Sequence, residues 1–147
     1  MKKLFIPLAL LVFSFSSCKK DKKQEPLTTT DSQTEIIDSH TSQNALDWAG
    51  TYMGTLPCAD CEGIKTTITL NQDETFTSEE EYLGESLTVK DQGIFVWDNT
   101  GNSIILHGEK DKRTRAFKVG ENQIIHLDSD KNQITGNLAE AYILKKQ

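Results

Sequence analysis

IKTTITLNQDETFTSEEEYL, residues 64–83, decides the fold class. Ile64, Thr66, Ile68 and Leu70 alternate with Lys65, Thr67 and Thr69. That period of two puts one face of a strand inward and the other toward water. Asn71-Gln72-Asp73-Glu74 then reads as a turn. Residues 75–83 read as a second strand, with Phe76 and Tyr82 on one face, and Gly84-Glu85 breaks it. The acidic run Glu79-Glu80-Glu81 on this strand reads as solvated.

The pattern continues in both directions. Residues 94–97, Ile-Phe-Val-Trp, are apolar on both faces and are expected to lie deep. Asp98-Asn99-Thr100-Gly101-Asn102 is the strongest hairpin signal in the chain. Strands are expected at residues 104–107, 115–119 and 123–127, separated by turns at 108–112 and 120–122. A last strand near 141–144, after a helical turn at Ala139-Glu140-Ala141, is placed to close onto a first one near 51–56. Nothing long has the 3.6-residue period of a helix. The expectation is an all-β domain, a small antiparallel β-barrel of about 7–8 strands, since closure removes exposed edges. A two-sheet sandwich is the alternative.

The total of 147 residues allows one ordinary domain. A formal net charge of −6 argues against a nucleic-acid partner, which needs a basic patch. The first 17 residues read as an address. Lys2 and Lys3 precede the apolar stretch 4–15, too short to span a bilayer and suited to a secretory signal. It ends at Phe15-Ser16-Ser17-Cys18, which resembles a bacterial lipobox. Cys18 is then the lipidated mature N-terminus. Each buried acyl CH₂ contributes ~0.8 kcal/mol, so several chains hold the protein on a membrane. Residues 18–47 follow as lipidated cysteine and flexible tether, too polar to offset the entropy of ordering. Residues 48–147 form the barrel domain.

Cys58 and Cys61 remain, in Pro57-Cys58-Ala59-Asp60-Cys61-Glu62-Gly63. Three chemistries fit a CxxC. In an oxidising envelope the two thiols pair as a disulfide, whose short loop stabilises by only about 2 kcal/mol. Two thiolates also suit a soft metal, Cu(I) or Zn(II). Tetrahedral zinc needs two more ligands, for which only His107 and His126 are available, each more simply an ordinary strand residue. Linear Cu(I) needs no others. Thiol–disulfide catalysis requires a helix N-terminus to stabilise a thiolate, whereas Gly63 leads into a strand and Asp60 and Glu62 oppose the charge. No nucleophile elbow, phosphate loop or complete calcium loop is present, and no catalytic residue is assigned: the chain reads as a non-enzyme. Asp128-Ser129-Asp130-Lys131-Asn132 is a hydrophilic turn, lacking the Gly and Glu of a calcium loop.

From Trp48 onward the chain resembles the N-terminal domain of the NlpE family of copper-resistance and envelope-stress lipoproteins. The residues that carry this are Tyr52-Met53-Gly54-Thr55-Leu56-Pro57-Cys58-Ala59-Asp60-Cys61, Gly63-Ile64, Asp73-Glu74-Thr75-Phe76, and Asn137-Leu138-Ala139-Glu140-Ala141-Tyr142-Ile143-Leu144. The resemblance implies a lipocalin-like barrel. It implies envelope-stress signalling through a Cpx-type sensor kinase when lipoprotein delivery fails, contact with the lipoprotein trafficking machinery, and a role in copper homeostasis. It also raises Cu(I) as a cofactor of Cys58 and Cys61, and places the protein in the cell envelope, at the outer membrane. A carrier of a small apolar ligand is the alternative function.

Overall fold

The structure, a computed structural model, describes residues 40–110 and 112–147. The segment expected as a signal, Cys18 and most of the expected tether lie outside the described residues. Eight antiparallel strands run in chain order around a closed barrel: β1 (Gly50–Leu56), β2 (Ile64–Leu70), β3 (Thr75–Tyr82), β4 (Leu87–Trp97), β5 (Ser103–Gly108), β6 (Thr114–Gly120), β7 (Gln123–His126) and β8 (Ile143–Lys146). The seam closes where Tyr52 faces Lys146 and Met53 faces Lys145. The 3-10 turn Ala139–Tyr142 delivers the chain to β8. The barrel expectation thus holds, and the sandwich does not.

The two-residue period sets what faces in. Along the register, Tyr52, Ile68, Ser78 and Asp91 share one inward row, and Gly54, Thr66, Glu80 and Val89 the next. Tyr52, Phe76, Phe95 and Phe117 are at most 1% exposed and fill the axis. Side chains of this size contribute ~1.5–3 kcal/mol each when fully buried. The Tyr52 hydroxyl donates to the Trp48 carbonyl at 2.5 Å. Burial, reinforced by Asp47, pushes its phenol up to about 12, so it stays neutral and bonded well into alkaline solution.

Three sequence expectations need correction. Residues 94–97 are not deep on both faces. Phe95 is buried, but Ile94 and Val96 point outward, 56% and 40% exposed, because strand parity gives their faces to water. Glu80 is not solvated: it turns inward at 7% exposure, while Glu79 and Glu81 stay outside. Residues 41–46, read as the tether's end, carry a helical turn, α1 (Ser42–Ala45), seated on one mouth of the barrel. There the Gln43 N–H donates to the Gly101 carbonyl at 2.9 Å and Ser42 Oγ to the Val119 carbonyl at 2.7 Å. Composition hides this docking because polar groups carry it. Behind α1, Trp48 meets Phe95 and Trp97 edge-on at 5.7 and 5.5 Å, which seals that mouth with aromatic rings.

Candidate functional site

Cys58 and Cys61 sit in the loop from β1 to β2, at the mouth opposite α1. Pro57 ends β1 because it offers no N–H to extend the ladder. The loop folds back on the β3–β4 connection, where the Leu83 N–H donates to the Gly63 carbonyl at 2.9 Å. Both cysteines are half-buried, while Ala59, Asp60 and Glu62 are exposed. The two sulfurs are bonded as a disulfide, with Cα atoms 5.3 Å apart. Cys61 Sγ also lies 3.3 Å from the Gly63 carbonyl oxygen, to which a reduced thiol would donate. No helix begins at the pair: Gly63 runs directly into β2. The geometry therefore suits a reversible disulfide, or on reduction a two-thiolate ligand set, and it lacks the helix dipole that activates a catalytic thiol.

The two histidines are not brought to these sulfurs. His107 is exposed on the outer face of β5. His126 turns inward on β7 between Phe117, at 5.0 Å edge-on, and Tyr142, stacked at 6.2 Å. Among the described residues no cluster of three or more His, Cys, Asp or Glu could hold a metal ion. Two-coordinate Cu(I) needs none, so the donor set still fits it.

Below this mouth the barrel interior is polar, which the sequence did not reveal. Arg115 forms an ion pair with Glu80 and donates to Ser78 Oγ at 3.0 Å, its guanidinium 6.0 Å from the centre of the Phe76 ring. Arg113 reaches Glu80 from outside at 3.8 Å. Asp91, 5% exposed, accepts the N–H groups of Gln92 at 2.8 Å and Lys110 at 3.0 Å. Burial, and then the Arg115 cation, hold the His126 imidazole below its ordinary range, with Glu80 opposing. His126 therefore favours folding while neutral. That stability is present above the unfolded value near 6.5 and declines as pH falls through it, because the unfolded chain takes the proton first. Urea midpoints measured from pH 8 down to 5 should fall more steeply for the parent than for His126→Phe.

Comparison with known proteins adds the following. The family described as the NlpE N-terminal domain matches residues 52–137, which include both loop cysteines. The chain is 33% identical over 86 residues to lipoprotein NlpE of Escherichia coli K12, covering 56% of this chain. It spans 35% of that relative's length. A crystal structure of a Shewanella oneidensis protein is 50% identical with a TM-score of 0.66, over 74% of this chain and 96% of the other. The Cpx pathway activator NlpE of Escherichia coli is 27% identical with a TM-score of 0.51, over 60% of this chain and 46% of that one.

Proposed function

Because the chain belongs to the family of NlpE N-terminal domains, we propose that it is an envelope lipoprotein that senses stress and copper by binding and turns over no substrate. The observation that carries this is the family match over residues 52–137 with the Cys58–Cys61 pair inside it. On this reading Cys18 carries the lipid and holds the protein at the envelope membrane, the outer one in normal delivery. The stretch after it lets the barrel reach a Cpx-type sensor kinase when trafficking fails and the protein stays at the inner membrane. The relative named as a Cpx pathway activator supports that partner.

Cys58 and Cys61 are the chemical input. As a disulfide they fix the β1–β2 loop. Once reduced, two thiolates capture Cu(I), and either change alters the mouth of the barrel. The carrier alternative finds no support in the interior, whose axis is occupied by Tyr52, Phe76, Phe95 and Phe117, where an apolar ligand needs ~300 Å³ or more of space.

The test is genetic and chemical together. Overproducing the chain should raise a Cpx-type reporter at least fivefold, and deletion should lower copper tolerance. Reduced protein should bind one Cu(I) in competition with a chelator, at least 100-fold more weakly in Cys61→Ser. Unchanged reporter and copper tolerance, in cells that make the folded protein, would sink the reading.

A further inference from the structure

The barrel is closed, yet among the described residues one stretch of it has an unpaired edge. β4 spans Leu87–Trp97, but β5 pairs only with its residues 93–97. On its other side β4 pairs with β3 along its whole length up to Ile94. The Phe95 N–H donates to the Glu74 carbonyl on the β3 side, and Gln92 accepts from Glu109 on the opposite side. Alternation then turns the backbone groups of Thr88 and Lys90 away from β3, into the space beyond the last β5 pair.

What surrounds this edge is chemically specific. Asp91 occupies the Gln92 N–H with its own carboxylate at 2.8 Å, which ends the ladder there. Lys110 places its ammonium 3.4 Å from the Lys90 carbonyl and, among the described residues, has no carboxylate within ion-pair distance. Lys90 itself pairs with Glu79 at 3.0 Å. Beside the edge, on the outer face, Lys110, Lys90, Gln92 and Thr77 line a hollow of about 380 Å³. Leu87, at the start of the strand, is 45% exposed.

We propose that the Leu87–Lys90 edge of β4 receives an extended segment of a partner protein, added antiparallel as a further strand, with an acidic side chain against Lys110. Unpaired strand edges recruit strands, and proteins usually blunt them with a lysine. Lys110 does this here by capping a carbonyl. A segment bearing a carboxylate would offer that ammonium a better partner and free the Lys90 carbonyl to accept a backbone N–H. An apolar residue on the segment's other face would cover Leu87. The preferred sequence alternates apolar and acidic residues. The inference rests on the reading that the barrel acts by meeting a protein.

Amide exchange on the ¹⁵N-labelled full chain tests it. In the free chain Thr88 and Lys90 should exchange at least 100-fold faster than Val89 and Asp91. A seven-residue peptide alternating Val and Glu, at millimolar concentration, should raise protection at Thr88 and Lys90 at least fivefold, and its Lys-for-Glu counterpart should not. Thr88→Pro removes an outward N–H without touching the β3 ladder and should abolish the effect. Lys110→Glu should weaken it at least threefold, and decides alone if the proline variant fails to fold. Equal response to both peptides, no response, or protection that grows with chain concentration alone, which would mark a second copy as the occupant, overturns the proposal. A response of the stress reporter to overproduction alongside any of these results would leave the signalling reading standing without this edge.

Discussion

Glu80→Leu is expected to destabilise the barrel by about 3 kcal/mol, because it leaves a guanidinium buried without its counter-ion. Arg115 and Glu80 side chains are 12% and 10% exposed, so water cannot take over the lost role. Ser78 and the Phe76 ring still hold part of the charge, which places the loss at the lower end of the range for broken buried pairs. The double variant Glu80→Leu, Arg115→Met should recover most of it, since apolar replacement of a whole buried pair is often neutral or stabilising. Urea unfolding of the four proteins closes the cycle. A loss in the double variant equal to the sum of the Glu80→Leu and Arg115→Met losses would mean that the pair is not coupled.

Gly93→Ala is expected to cost about 3 kcal/mol or more, at the upper end for overpacking. A Cβ there would stand 2.0 Å from the His107 carbonyl oxygen and 3.2 Å from Gly108 Cα, both backbone atoms of β5. No rotamer can relieve a backbone clash, so β4 and β5 would have to part. Gly54 plays the same part at the seam, where a Cβ would meet the Ile143 carbonyl oxygen at 2.9 Å. A drop in melting temperature of about 10 °C or more for Gly93→Ala, with Gly120→Ala changing it little, is the expected contrast. Gly120 lies outside the left-handed region, and the nearest atom that a Cβ would meet there is Gln123 Cγ at 3.4 Å.

Where the sequence could be read, one cause made it readable: an apolar residue at every second position. Ile64, Ile68 and Leu70 marked β2 directly, and Asp98 through Asn102 marked the β4–β5 turn, whose Asp98 carboxylate accepts the N–H groups of Asn102 and Ser103. The first half of β4 is hidden in the sequence because its inward positions include Asp91, and a buried acid looks like a loop residue until its partners are known. Glu80 looks solvated for the same reason. Its counter-ion Arg115 lies 35 residues away and arrives only through barrel closure. The Ile-Phe-Val-Trp run gave no parity at all, since each face offered apolar residues, and the register with β5 decided which turned in. The cysteine pair was legible as a pair. That no histidine joins it follows from strand placement, which puts His126 inside the wall and His107 outside it.

Among the described residues the barrel has a disulfide at one mouth, an ion pair beneath it and an axis filled by Tyr52, Phe76, Phe95 and Phe117. The proposed signalling role rests on what the surface of this barrel meets. The most direct measurement is calorimetric titration of the full chain with the purified sensor domain of a Cpx-type kinase encoded in the same genome. A saturable one-to-one complex with Kd of about 10 μM or tighter, changed at least tenfold when the Cys58–Cys61 bond is reduced, is the predicted result. No heat and no complex at concentrations near 100 μM, with chain and sensor both folded, would contradict it.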